Sequence, residues 1–574
     1  MSLGSQWRII RHYLSLTNLN SEVEKLVQKF KPTSPEQWEK LLATIQKAVP
    51  VQVMRESKSE EKKDVRVYST TVDNVENKSE KEEKPSPPGT QCGFRGEDIT
   101  FEGFLQGLKL KTDLHFGKIS ETSWKSKKPV VNKSSIHSRT AYVISAIVSA
   151  ETLECLTKRT EHFIDHLKQY PEARDYAIKE GAVRALLRVH NRLKDDKPET
   201  QQANGVVKEA LALVGYTGPT KGPGPNILSL DGGGIRGLIA IEILRHLERL
   251  TGRNVTEMFD YIIGVSTGAI IAAVIGSGVG NLETASRMYH TLSKEMFGNT
   301  SLIGGTSRLV WTHSYYDTAA WEKMLQDNLR DCTLTQCNRY NSPKMALVSC
   351  VVNSGSRLTP FVFRSYECGF RVRSALPGSS AARVWHAVRA SAAAPTYFHE
   401  FKLHGLVHQD GGIMVNNPTG VGLHEAKLLF GAESLRKATV ISVGTGKALT
   451  KHVDYSALSN GVGGDAAGTS WKDKFNKILD SATDTEGVHL VVNELLPAGS
   501  YFRFNPPLMQ ECAMDEVNPD KLQSLITDTN AYIRRNQHKF EQAAAMLTRK
   551  RSVSQRVVDY VRLRAQLMGL TTTN

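Results

Sequence analysis

The chain has 574 residues, more than one average domain holds, and its 40% apolar content fits a globular protein with a large buried core rather than a fibrous or wholly disordered one. A formal net charge of +14 points to an anionic partner. No RNA-recognition aromatic signature, zinc finger or homeodomain pattern accompanies that charge, so an anionic phospholipid membrane surface is expected and nucleic acid is not. Seven scattered cysteines, Cys92, Cys155, Cys332, Cys337, Cys350, Cys368 and Cys512, argue against a disulfide framework and for a reducing compartment.

Residues 1–54 read as an N-terminal helical segment. The first 21 contain no acid, include Arg8 and Arg11, and set Leu3, Trp7, Ile10 and Leu14 on one helical face, a pattern shared by organelle transit peptides and ordinary surface helices. Residues 55–134 read as a charged, largely disordered linker. Its second half interleaves lysines with Phe101, Phe104, Phe116 and Trp124, favouring a tether over a membrane-binding patch.

Residues 135–216 turn helical, with apolar residues at three and four spacing over Ala141–Leu156, Glu161–Gln169, Pro171–Glu180, Ala182–Leu193 and Asn204–Val214. The stretches Ile178–Leu187 and Val206–Leu213 resemble an armadillo-type repeat. One such unit cannot bury its own apolar face, so packing on the next domain is expected. Gly215–Gly224 contains Lys221 but no Gly-Lys-Ser/Thr ending, and reads as a hinge rather than a nucleotide loop.

Residues 217–446 alternate strand and helix: strands at Asn226–Leu230, Tyr261–Ile263, Met345–Val352, Thr359–Phe363, Leu406–Gln409 and Thr439–Val443, and helices at Leu238–Leu250 and Ala269–Gly276. The alternation predicts a largely parallel sheet covered by helices. Tyr261–Gly280 is uncharged and long enough to span a bilayer, yet Gly264–Gly268 divides it into a buried strand and a helix. Residues 447–574 read as a basic helical region packing on this domain.

Two glycine turns carry the chemistry. In Gly264-Val265-Ser266-Thr267-Gly268 a strand-to-helix turn lifts Ser266 above the sheet edge as a nucleophile, Gly264 and Gly268 let strand and helix approach, and the Thr267 amide faces the oxyanion. Asp231-Gly232-Gly233-Gly234-Ile235-Arg236-Gly237 offers the amides of Gly232, Gly233 and Gly234 as an anion nest, with Arg236 adding positive charge and Gly237 opening a helix. A dinucleotide loop is the weaker alternative, because a second glycine turn bearing a serine accompanies it.

Asp410, at a strand end before Gly411 and Gly412, is placed as the base. A Ser-His-Asp triad would instead draw on His408, His424, His452, His489 or His538, none of which stands in a distinguishing context. His399, His404 and His408 match no zinc spacing.

These motifs, with Arg389–Phe398 and Val440–Gly446, resemble the patatin-like phospholipases over roughly residues 226–446. The resemblance implies a three-layer α/β/α fold with a mainly parallel sheet, preceded by the armadillo-like segment. It also implies a Ser266/Asp410 dyad without histidine, an acyl-serine intermediate, no metal and no cofactor, calcium included. A neutral-lipid hydrolase or acyltransferase would use the same dyad, and a non-catalytic lipid scaffold would not need it. The helical segment and basic tail are similar to those of membrane-associated members, which implies a mitochondrial or endoplasmic-reticulum membrane. A peroxisomal one is less expected, since Thr571–Asn574 is no Ser-Lys-Leu signal. Homo-oligomerisation stays open.

Overall fold

In the computed structural model of the chain, residues 132–569 are described apart from 194–196, 298–315, 330, 396, 449–484 and 511. The expected N-terminal helical segment, residues 55–131 of the expected linker and His452 therefore lie outside the described residues, while Lys133 and Ser134, expected in the linker, open the first helix.

Five helices come first: Lys133–Val148, Leu153–Gln169, Ala173–Lys179, Ala182–Arg192 and Pro198–Leu213. The sequence periodicity carries one helix across Ala141–Leu156, but the chain breaks there. Thr152 is extended, and its hydroxyl accepts the Cys155 amide at 3.2 Å, capping a new helix. The apolar faces meet in one core that includes Ile147, Phe163, Leu186 and Val207, joined by Leu563 and Leu567 of the last helix. A polar clasp fastens this bundle to the rest. Buried Glu209 accepts from Thr335 Oγ1 at 2.9 Å, Arg339 Nε at 2.6 Å and Lys168 Nζ at 3.0 Å, so the carboxylate stays compensated out of water.

The strands are β1 Asn226–Leu230, β2 Tyr261–Val265, β3 Lys344–Val351, β4 Thr359–Arg364, β5 Gly378–Ser379, β6 Phe401–Leu403, β7 Leu406–Asp410, β8 Thr439–Val443, β9 Lys447–Ala448, β10 Tyr501–Phe504 and β11 Pro507–Leu508. The main sheet runs β10-β8-β1-β2-β3-β4-β5, with β7 also on β3 and β6 on β7. From β10 through β3 all pairings are parallel. The edge strand β10 comes from beyond residue 446, so the sheet takes in chain from the C-terminal region.

Alternation along the strands builds two cores. Leu228, Leu230 and Ile262 face one side, under helices Gly237–Thr251, Thr267–Gly276, Pro519–Arg535 and Gln537–Leu547. Ile227, Ile263 and Val265 face the other, under Thr419–Phe430 and Thr485–Leu495. The result is the three-layer α/β/α arrangement with a mainly parallel sheet that the sequence predicts. No helix among the described residues is long and apolar enough to cross a membrane, and the uncharged run after Tyr261 is β2 followed by Thr267–Gly276.

One detail of register sets up the site. Along one edge of β3, β2 pairs with Lys344–Val348, and beyond its end β7 takes over at Ser349–Val351. Val265 therefore lies opposite Val348, and Asp410 opposite the very next residue, Ser349.

Candidate active site

Ser266 follows β2 with φ 52° and ψ −118°, a conformation that costs a non-glycine residue free energy and aims its side chain off the sheet edge. The flanking glycines are there for space. A Cβ on Gly264 would strike the Gly268 carbonyl, and one on Gly268 would strike the carbonyls of Leu230 and Asp231. The Ser266 amide donates to Ser391 Oγ at 2.9 Å, and that hydroxyl donates to the Val348 carbonyl at 2.5 Å.

The strand exchange along β3 brings Asp410 to this serine. Ser266 Oγ donates to Asp410 Oδ2 at 2.6 Å, and the Gly412 amide donates to Oδ1 at 2.7 Å. A Cβ on Gly411 would strike the Val348 carbonyl, so the turn is pressed against β3. Burial pushes the Asp410 carboxyl up to about 6, with the Ser266 and Gly412 bonds opposing the rise. Asp410 is thus a better base than a free aspartate and still ionised at neutral pH.

The Asp231–Gly237 loop lies over the serine: a Cβ on Gly232 would stand 3.3 Å from Ser266 Cβ. One of its expected donors is already committed, since the Gly232 amide bonds the Asn416 carbonyl at 3.1 Å. The amides of Gly233, Gly234 and Thr267 meet no acceptor among the described residues. Gly234 needs its left-handed φ of 61°, and its position is closed to a side chain by the Met514 carbonyl. Arg236 Nε bonds the Gly233 carbonyl at 3.3 Å, steadying the loop. Gly237 packs against the hydroxyls of Thr267 and Tyr289, which bond each other.

The described candidate histidines lie elsewhere. His408 is buried against Phe361 and Phe363, with Nδ1 3.0 Å from Ser349 Oγ, and burial pushes it down to about 4. His424, His489 and His538 bond Ser374, Tyr501 and Gln542 respectively. The acceptor on Ser266 Oγ is a carboxylate. His399, His404 and His408 form no metal-holding group among the described residues.

Sequence reasoning gave no role to two residues here. Ser391 ties both turns together, because its carbonyl also accepts the Gly411 amide at 3.2 Å while Ala393 accepts that of Asp410 at 3.0 Å. It sits inside the Arg389–Phe398 stretch, of which Thr396 lies outside the described residues. Arg503 of β10 donates from Nη2 to Asp231 Oδ2 at 2.6 Å. Burial outweighs this pairing and pushes the Asp231 carboxyl up to about 6. The available signal was a lone cation in the apolar run Tyr501-Phe502-Arg503-Phe504.

Residues 228–423 match the family described as patatin-like phospholipase. Calcium-independent phospholipase A2-gamma of Oryctolagus cuniculus is 37% identical over 440 residues, which cover 76% of this chain and 53% of the relative. The Homo sapiens protein of that name is 36% identical over 439 residues, covering 76% and 54%. The chain thus spans about half the length of these curated relatives. Among solved structures, human GIVD cytosolic phospholipase A2 overlaps 66% of this chain and 64% of its own at 12% identity and a TM-score of 0.31, too slight a likeness to support inference.

Proposed function

We propose that this chain, whose residues 228–423 match the patatin-like phospholipase family, hydrolyses fatty-acyl esters of glycerophospholipids, with A1/A2 and lysophospholipase character, through Ser266 and Asp410. The observation that carries the reading is the 2.6 Å bond from Ser266 Oγ to Asp410 Oδ2, made by a serine held in a strained strand-to-helix turn.

As Oγ attacks the ester carbonyl, its proton passes to Asp410 Oδ2. The new C–O bond pushes the carbonyl electrons onto oxygen, where the amides of Gly233, Gly234 and Thr267 stand ready to donate. Collapse breaks the bond to the glycerol oxygen, which takes the proton back from Asp410 and departs as the lysophospholipid. Water then gives its proton to Asp410 and attacks the acyl-serine, and the fatty acid leaves as Ser266 is reprotonated. Thr267 lies at a helix N-terminus, so backbone dipoles add to the stabilisation of the oxyanion.

The net charge of +14 supports an anionic membrane surface as the site of action, and the choice of a mitochondrial or endoplasmic-reticulum membrane rests on the resemblance alone. None of the six cysteines among the described residues is in a disulfide.

Fatty-acid release from mixed-chain phospholipid vesicles, with triacylglycerol as the parallel substrate, tests the proposal. Ser266→Ala should lower phospholipid release by at least about 10³-fold while vesicle binding is kept, and an acyl adduct should map to the Ser266 peptide in the wild type. Unchanged release by the alanine variant, or release from triacylglycerol alone, would reject it.

A further inference from the structure

The pair formed by Asp231 and Arg503 takes no part in the steps above, yet it is the most deeply buried ion pair beside the site, with side chains 1% and 3% exposed. Arg503 lies beyond residue 423, where the family match ends. Its place is set by sheet register. Ser229 of β1 aligns with Ser442 of β8, and Ser442 aligns with Arg503 of β10, giving one polar row across three strands.

The guanidinium uses both prongs: Nη1 donates to Ser442 Oγ at 2.9 Å and Nη2 to Asp231 Oδ2 at 2.6 Å. Thr419 Oγ1 bonds the same Ser442 and also Ser229, closing the row. Two residues on, Asn505 accepts the Gly446 amide at 2.8 Å, and Thr445 between these loops donates to the Gly232 carbonyl at 2.6 Å. The segment 503–505 thus fastens the glycine loop at its first residue, Asp231, and the loop's support at Gly446.

We propose that Arg503 is a positioning residue for the Gly232–Gly234 loop, holding through Asp231 the amides that meet the developing oxyanion. The proposal rests on the reading of that loop as the oxyanion donor. Charge alone is not enough for the task. A lysine supplies one point of attraction, whereas the planar fork binds Asp231 and Ser442 together and so fixes the direction of the Asp231 carboxylate. Oxyanion stabilisation is sensitive to small displacements of donors, so a loosened loop would show in turnover rather than in binding.

The test uses the full chain with Arg503→Lys, and a charge-neutral double variant, Asp231→Asn with Arg503→Gln, which leaves no buried charge unpaired. Thermal unfolding selects the folded variants. For these, kcat and KM on mixed-chain phospholipid are measured, together with the rate at which a fluorophosphonate phosphonylates Ser266. The expected result is a fall in kcat of about 10- to 100-fold with KM within about twofold, and phosphonylation slowed in parallel. Either folded variant keeping wild-type kcat and phosphonylation rate would overturn the proposal. If wild type reacts with the fluorophosphonate but releases no fatty acid, the phospholipid reading fails, and the phosphonylation rates alone still decide the role of Arg503.

Discussion

The turn at Gly264–Gly268 is shaped by its own glycines and the adjoining strand ends, whereas the loop at Asp231–Gly237 is held by residues far along the chain. In the first, Gly264 packs against Gly268, and Gly268 against the end of β1. In the second, Thr445 and Arg503 act from 213 and 272 residues away, and Asn416 and Met514 supply further backbone contacts. In the proposed reading, strain aims Ser266 and distant ties aim the loop amides. A nucleophile turn of this kind should fail when its space is filled, and an oxyanion loop of this kind should weaken by degrees as its ties are cut.

The largest effect is expected from filling the first turn. Gly268→Val sets a side chain against the Leu230 and Asp231 carbonyls, and should destabilise the fold by about 3 kcal/mol or more and abolish release, as thermal unfolding and activity would show. Cutting the long tie from this turn's backbone to Ser391 should cost less. Ser391→Ala removes the acceptor of the Ser266 amide and is expected to lower kcat about 10- to 100-fold with the fold intact, measured by steady-state kinetics.

The smallest effect is a pH dependence. In the proposed mechanism Asp410 acts in its ionised form, and its carboxyl is raised from 3.8 to about 6, so kcat/KM should fall about tenfold per pH unit below that value. The same shift bears on stability. Because the folded state holds this proton more tightly than the unfolded chain, the contribution of Asp410 to stability is present below its unfolded pKa and lost as pH rises through about 6. Asp410→Asn should therefore melt above wild type at pH 7, with the difference shrinking towards pH 4.

Much of this was legible in the sequence because it is local. Buried strands such as Asn226–Leu230 and Thr439–Val443 are short apolar runs bounded by turns, and both were placed at their observed limits. Ser266 and Asp410 were legible from the glycines beside them. What escaped depends on neighbours brought in by the fold. That Asn416 takes the Gly232 amide is a matter of tertiary backbone pairing, which no composition marks. Arg503 in its apolar strand reads the same whether it meets solvent or a buried carboxylate. Nor does spacing reveal that β7 follows β2 along β3, the arrangement that carries Asp410 to Ser266. The break before Leu153 did carry a local sign, the capping Thr152, but apolar periodicity runs through it.

The claim at the centre of this account is that a carboxylate, with no histidine, activates Ser266. Mass-spectrometric measurement of fatty acid released from a defined mixed-chain phospholipid, comparing wild type with Asp410→Asn and His424→Gln, tests it most directly. The account predicts release lowered by about 10³-fold or more for Asp410→Asn and within about twofold of wild type for His424→Gln. Release by Asp410→Asn close to the wild-type rate would contradict it.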